Sequence, residues 1–158
     1  MEYILSLKWG GIHGDVALQR ASGELAYILK GSSLQYHRTC SVVNARGEET
    51  FRVSRPVRWF GSAYMIHAGE STLGKAGSNW CRSHGRIDIA GLPVVTCKYG
   101  HGFRRSLVLM AGPKEVANMT SQSGLGVQAF LHIKDPAFDD PRFLIACALL
   151  FRDWTSRG

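Results

Sequence analysis

The sequence predicts an all-β fold: a closed antiparallel β-barrel of about ten to twelve strands around one C-terminal hydrophobic α-helix. Two observations lead to this prediction. All nine residues from 143 to 151 are apolar, and a helix that is apolar on every side must be covered on every side. The rest of the chain consists of short apolar segments separated by turn residues, a spacing typical of sandwiches and barrels and not of βαβ units. A wide barrel with the helix along its axis satisfies both observations.

The helix is predicted over about residues 140–153, within a single domain that spans residues 1–158. Asp139 and Asp140 precede Pro141, an order typical of an N-cap followed by proline at the first helical position. Crossing a bilayer takes about 20 apolar residues, so the apolar run is too short to be a transmembrane segment. Cys147 lies in the middle of the run, where we expect a small core residue.

The strand candidates follow one another closely, and hairpins are expected around the turns at residues 21–24 and 44–48. Two segments are expected to depart from the strand pattern: a glycine-rich loop over residues 69–77 and one or two helical turns over residues 113–119. In chain order the strand candidates are residues 3–9, 15–20, 25–30, 38–43, 50–54, 59–67, 80–82, 86–90, 93–98, 103–110 and 127–133.

The composition is ordinary for a globular protein, with 45% hydrophobic and 20% charged residues. The four cysteines, at positions 40, 81, 97 and 147, include no C-x2-C pair, and a chain of this size needs no disulfide framework. No secretory signal pattern is visible. These observations predict a cytoplasmic protein with reduced thiols, and they leave peripheral attachment to a membrane open.

Local sequence motifs give no support to an enzyme, a metal site or a bound cofactor. The segment from Gly69 to Ala76 nearly matches a P-loop, but Ala76 replaces the Mg²⁺-binding hydroxyl and no helix is predicted after it. Gly100-His-Gly102 begins like a dinucleotide-binding motif and lacks its third glycine. The six histidines have no paired ligand spacing. No catalytic residue, cofactor or metal is therefore predicted.

The net charge of +7 suggests an acidic partner, and the best candidate site is a basic window between residues 80 and 105. Five cations there stand against one acid, Asp88, and we expect antiparallel strands to gather them on one face for phosphate binding. The predicted anion-binding residues are Arg82, Arg86, Lys98, Arg104 and Arg105. The aromatic residues among them are Trp80, Tyr99 and Phe103. The alternative is a solvated barrel exterior whose charge serves solubility.

A second group of cations is weaker, because Glu48 and Glu49 dilute it. Its members are Arg46, Arg52, Arg55 and Arg58.

Three segments resemble parts of the tubby C-terminal-like superfamily, which includes tubby domains, phospholipid scramblases and the LURP-one-related proteins of plants. Residues 139–153 resemble its central helix, Asn44-Ala-Arg-Gly-Glu48 resembles its recurrent hairpin turn, and residues 25–30 after Ser22-Gly23 resemble an earlier hairpin. The resemblance implies a closed barrel around a hydrophobic helix and, for some members, binding of phosphoinositide headgroups or membrane lipids. The chain lacks the proline-rich leader and cysteine cluster of scramblases, and its cations do not match tubby's headgroup ligands one by one.

Together, the basic window and the resemblance predict a noncatalytic module that binds an anionic ligand, with a phospholipid or phosphoinositide headgroup at a membrane surface as the first candidate. The alternative is a module that binds nucleic acid or an acidic protein, which rests on charge and, for single strands, on base stacking. An enzyme whose site is assembled from distant strands is the third hypothesis.

Overall fold

A computed structural model describes residues 1–7, 15–31, 38–56, 62–78, 84–100, 106–121 and 128–155, with the side chains of residues 62, 154 and 155 excepted. It confirms the predicted fold class. Twelve antiparallel strands form a closed barrel in which each strand pairs with its neighbours in the chain and β12 returns to pair with β1. The strands are β1 Glu2–Leu7, β2 Val16–Arg20, β3 Leu25–Leu29, β4 Thr39–Asn44, β5 Glu49–Ser54, β6 Ser62–Ala68, β7 Ser71–Ser78, β8 His84–Ile89, β9 Val95–Gly100, β10 Ser106–Ala111, β11 Lys114–Ser121 and β12 Gln128–Ile133.

Side chains alternate between the barrel interior and the outer face, as the pleat of a strand requires. One inward row shows this: Cys40, Val53 and Ile66 lie at paired register positions on β4, β5 and β6, and all three are buried. Arg52 lies next to Val53 on the same strand and is exposed on the outer face. Register therefore decides which polar side chains become neighbours outside the barrel.

The central helix, α1, spans Pro141–Thr155 and begins as expected, after an aspartate cap. The Asp140 carboxylate accepts a hydrogen bond of 2.9 Å from the backbone N–H of Arg142, the usual N-cap contact. A short 3-10 helix, Pro136–Phe138, leads from β12 into the cap and packs Phe138 edge-on against Phe143 at 5.1 Å between ring centroids. The predicted cap and first-turn proline are thus confirmed.

The interior of the barrel is filled by α1, whose side chains from Phe143 to Phe151 are all buried. Burying one large apolar side chain stabilises a fold by about 1.5–3 kcal/mol, so this helix is the principal core element. The helix packs most closely against β7, whose inward residues Gly74, Ala76 and Ser78 are small. Cys147 is buried in the helix, as predicted.

Two elements differ from the sequence-based predictions. The expected glycine-rich loop over residues 69–77 is a two-residue turn at 69–70 followed by strand β7. Position 74 of this strand favours glycine, because a Cβ there would lie 2.5 Å from Cδ1 of Ile89 and 2.9 Å from the Asp88 carbonyl oxygen. The helical turns expected over residues 113–119 are wrong as well, because Lys114–Ser121 forms β11 with both neighbouring strands. The strand predicted at 80–82 lies outside the described residues.

The two ends of the barrel differ in how the strands are joined. At the turn end, five connections of two to five residues join even-numbered strands to the odd-numbered strands that follow. At the long-connection end, segments of five to nine residues join odd-numbered strands to the even-numbered strands that follow. Helix α1 enters the barrel from the turn end and its last turn reaches the long-connection end, where the Arg152 guanidinium donates to the Gly31 carbonyl at 3.2 Å.

Candidate functional site

A groove of about 670 Å³ lies on the barrel wall over β6, β7 and β8, in the half nearer the long-connection end. Ala63 and Gly77 are register partners on neighbouring strands, and both line the groove. We call this pair of small residues the floor of the groove. A volume of this order suits a small ligand or a lipid headgroup. The lining residues are Pro56, Ala63, Tyr64, Met65, Lys75, Ala76, Gly77, Ser78, His84, Gly85, Arg86 and Asp88.

Register brings cationic side chains from two strands to this groove. Lys75 on β7 lies between Met65 and Asp88, and Arg86 on β8 is the partner of Gly77 at the floor. Both cations are exposed. An exposed guanidinium presents a forked set of donors that suits phosphate and carboxylate.

Lys98 extends the cationic surface beyond the groove. It lies on β9 directly opposite His84, and both side chains are exposed on the outer face. Arg86 occupies the next outward position after His84 on β8. Arg86 and Lys98, on β8 and β9, therefore continue the outer surface that begins at the groove. We call Lys75, Arg86 and Lys98 the cationic face.

One carboxylate lies within the cationic face. Asp88 Oδ2 lies 3.8 Å from a terminal nitrogen of Arg86, and the two side chains are 49% and 67% exposed. An exposed pair at this separation contributes about 1 kcal/mol or less. The guanidinium therefore remains available to an anion that offers shorter, charge-assisted hydrogen bonds.

The predicted anion-binding residues are placed only in part. The structure puts Arg86 and Lys98 on one outer surface. Arg82, Arg104 and Arg105 lie outside the described residues, as do Trp80 and Phe103.

Tyr99 does not belong to the outer surface. Its side chain is 5% exposed and packs in the barrel core, because its position in β9 has the inward parity shared with Val95 and Cys97. Tyr99 therefore cannot offer an aromatic face to a nucleic-acid base or a lipid interface.

Two groove residues, Lys75 and His84, were not among the predicted site residues. The segment around Lys75 lacks the usual strand signal, since its inward positions carry glycine, alanine and serine where Val, Ile or Leu is typical. The available signal was limited to small residues at every second position, Gly74, Ala76 and Ser78, with Lys75 between the first two.

The second group of cations does not form one surface. The Arg52 guanidinium is engaged by Glu49, with Nε 3.2 Å from Oε1, and this contact is the main cause of a lowered pKa for Glu49. Arg46 lies in the β4–β5 turn at the opposite end of the barrel from Arg55. Arg58 lies outside the described residues.

Within the described ranges, no group of three His, Cys, Asp or Glu side chains is placed to hold a metal ion. The thiols of Cys40, Cys97 and Cys147 are free and buried. Burial raises the pKa of Cys40 and of Cys97 to about 12, and raises that of Cys147. These thiols are protonated at neutral pH and are poor nucleophiles and metal ligands.

In the part of the chain that the structure describes, no helix has the length and apolar character needed to cross a membrane.

No protein-family model matches the chain. No curated protein matches it in sequence. A protein from Arabidopsis thaliana, AT5G01750, has a similar structure determined by X-ray crystallography: the TM-score is 0.58 and the sequences are 12% identical, with 99% of this chain and 92% of that chain covered. The structural likeness shows a shared fold, whereas an identity this low carries no information on activity.

Proposed function

We propose that this protein is a binding module for a phosphate-bearing anionic ligand, and that the ligand is a phospholipid or phosphoinositide headgroup at a membrane surface. The observation that carries the proposal is the groove floored by Ala63 and Gly77 with Lys75 and Arg86 at its sides. A floor of small residues allows a headgroup to approach the backbone, while the cations supply charge-assisted hydrogen bonds.

Three further observations support this ligand class. The chain carries a net charge of +7, and Lys98 widens the cationic face beyond the groove. The resemblance to the tubby C-terminal-like superfamily implies lipid-headgroup binding for some of its members. A peripheral protein attached to the cytoplasmic leaflet also meets a surface that is rich in anionic lipid.

Vesicle co-sedimentation tests the proposal with two lipid compositions. We expect the full chain to sediment with phosphatidylcholine vesicles that contain phosphatidylserine or a phosphoinositide, and to stay in the supernatant with phosphatidylcholine alone. Each surface cation near an anionic membrane contributes about 1 kcal/mol. The double substitution Arg86→Glu with Lys98→Glu should therefore weaken binding more than tenfold, and raising the salt concentration should weaken binding of the wild type.

A matched control separates the cationic face from net charge. Arg20→Glu with Arg46→Glu makes the same change in charge, at exposed positions near the turn end. This control should retain at least one third of the wild-type affinity for the anionic vesicles. Equal loss in the two double variants, or equal sedimentation with neutral vesicles, would contradict the proposal. Binding to RNA or DNA that falls steeply with salt, without binding to vesicles, would favour the nucleic-acid alternative.

A further inference from the structure

A serine, a histidine and a threonine form a hydrogen-bonded chain on the outer face of β5, β6 and β7. Ser54 Oγ lies 2.7 Å from His67 Nε2, and His67 Nδ1 lies 3.2 Å from Thr72 Oγ1. A hydroxyl within hydrogen-bond reach of an imidazole, whose second nitrogen is held by a third group, is the general arrangement of an activated nucleophile and its base. No part of the proposed anion binding uses these three residues.

Backbone pairing brings the three side chains together. His67 is the register partner of Thr72 across the two-residue turn at 69–70, which places their side chains on the same outer face. Ser54 is the partner of Met65, two residues before His67, so the serine reaches the imidazole diagonally across β5 and β6. Ser54 and His67 are half-buried and Thr72 is exposed, so a reagent can reach these three side chains from solvent.

We propose that Ser54 is a reactive nucleophile with His67 as its general base, and that the pair cleaves carboxylic esters through an acyl-serine intermediate. In the tautomer that carries hydrogen on Nδ1, His67 donates to Thr72 Oγ1 and its Nε2 accepts the Ser54 hydroxyl proton. Thr72 is then a positioning residue that holds the imidazole, in the place that a carboxylate takes in catalytic triads.

The ester and water are the only reactants that this hydrolysis needs. The Oγ–carbon bond forms as the carbon–oxygen bond of the ester breaks, and the Ser54 proton passes through Nε2 to the departing alkoxide. Water then attacks the acyl carbon, gives its proton to Nε2, and the Ser54 oxygen recovers a proton from the imidazolium as the carboxylic acid leaves.

The position of Ser54 suggests which esters it meets. Met65 stands between Ser54 and Lys75 on one outward row of β5, β6 and β7, and Met65 lines the groove. Esters that carry a phosphate or carboxylate group would have their charged group near Lys75. This preference rests on the proposed anion site, whereas the reactivity of Ser54 does not.

A neutral fluorophosphonate probe tests the reactivity alone. Attack by Ser54 Oγ forms an oxygen–phosphorus bond, releases fluoride and transfers the hydroxyl proton to Nε2. We expect peptide mapping of the labelled full chain to locate the probe on Ser54. Because general-base catalysis contributes about 10²–10⁴-fold, His67→Gln should slow labelling at least tenfold, Thr72→Val should slow it several-fold, and Thr72→Asp should accelerate it.

The matched control is Ser41→Ala on β4. Ser41 is also half-buried, and its hydroxyl donates to the Glu49 carboxylate at 2.9 Å instead of to an imidazole. This variant should label at the wild-type rate, and thermal melting should show that all variants remain folded. Wild-type protein that takes no label at Ser54, or His67→Gln protein that labels at the wild-type rate, would overturn the proposal and leave the chain as cross-strand support for the sheet.

Two chromogenic esters then separate this proposal from the anion site. If both proposals hold, Lys75→Glu should lower the ratio between the hydrolysis rate of an ester with an anionic acyl group and that of a neutral ester at least threefold. The same ratio in the wild type and in the variant would contradict the role of Lys75 only. Hydrolysis of neither ester by the wild type would contradict the cleavage by Ser54, whatever the vesicle assay shows.

Discussion

Both ends of the central helix are held by a tyrosine–aspartate hydrogen bond, but the two contacts lie in different surroundings. At the turn end, the Tyr3 hydroxyl donates to Asp139, which is half-buried just before the helix. At the long-connection end, the Tyr64 hydroxyl donates to Asp153, which is 4% exposed in the last turn. Burial is the main cause of a raised pKa in both tyrosines, to about 12 for Tyr3. The same contact therefore carries a larger desolvation penalty at the second end.

The positive charge of the chain is concentrated in particular sequence segments. The segments that connect odd-numbered strands to the even-numbered strands that follow, together with residues 152–158, contain ten Lys or Arg residues and two Asp or Glu residues. The rest of the chain contains nine basic and ten acidic residues. Along the sequence, the excess of basic residues thus lies in these connections and in the last seven residues.

At the turn end, basic side chains form ion pairs with the aspartates around the start of the helix. Lys114 Nζ lies 2.9 Å from Asp135, and a terminal nitrogen of Arg142 lies 2.8 Å from Asp140. These pairs surround the entry of the helix and neutralise its acidic cap region. The turn end therefore pairs its acidic cap with cations, whereas Lys75, Arg86 and Lys98, in the half of the barrel nearer the long-connection end, are exposed.

The largest expected effect comes from breaking the helix that both ends share. Leu149 is completely buried within the barrel, so Leu149→Asp would place an unpaired charge in an apolar interior. The penalty should exceed a total stability of about 5–15 kcal/mol, and Ile145→Asp should act in the same way. We expect neither variant to show a cooperative melting transition by circular dichroism.

Leu149→Met is the matched control, because it conserves volume and apolar character and should cost less than about 1.5 kcal/mol. An aspartate variant that melts like the wild type would show that the helix is not enclosed.

The next effect distinguishes the two tyrosine contacts. Tyr64→Phe removes a hydrogen bond from a buried carboxylate and should lower the free energy of unfolding by about 1–3 kcal/mol. Tyr3→Phe should cost about 0.5–1.5 kcal/mol, since water can reach the half-buried Asp139. Urea denaturation of both variants measures the difference.

Combining Tyr64→Phe with Asp153→Asn should cost less than the sum of the single substitutions, because the two residues share one contact. A smaller loss for Tyr64→Phe than for Tyr3→Phe would show that burial does not separate the two ends.

The smallest effect concerns the helix cap at the turn end. Asp140→Ala should destabilise the fold by about 1 kcal/mol through loss of the N-cap, while Asp140→Asn keeps the cap and removes only the charge. Hydrogen bonds from Arg142 are the main cause of the lowered pKa of Asp140.

Since the pKa is lower in the folded state than the ordinary value of about 3.9, the contribution of this charge is fully present above about pH 4. It is lost as the pH falls through the lowered pKa. Unfolding free energies of wild type and Asp140→Asn should therefore differ at pH 6 and converge in acid. A constant difference at every pH would assign the effect to something other than this charge.

Much of the fold could be predicted from local patterns. The apolar run, the aspartate and proline before it, and the turn at Asn44 all act over a few residues. In that turn the Asn44 side chain accepts hydrogen bonds of 3.0 Å from the N–H groups of Arg46 and Glu48, and Gly47 adopts a φ of +81°. Such signals depend on neighbouring residues, so the sequence displays them directly.

Strands β7 and β11 were missed because tertiary contacts override their local signals. The inward side of β7 is small where helix α1 packs against it, so the expected alternation of large apolar residues is absent. In β11, Val116 and Ala117 are both buried near a register shift in its pairing with β10, which interrupts a simple alternation. Neither constraint is visible until the partner element is in place.

The sequence by itself determined an enclosed helix, a strand-rich wrapper and an excess of positive charge, because hydrophobicity, capping and charge are properties of residues and their near neighbours. Only the tertiary structure decided that Arg86, Lys98 and the unforeseen Lys75 share an outer face, that Tyr99 turns inward, and that Ser54 meets His67. The physical reason is register: pairing between strands sets which distant positions become neighbours, and a shift of one residue would reverse the face of every side chain.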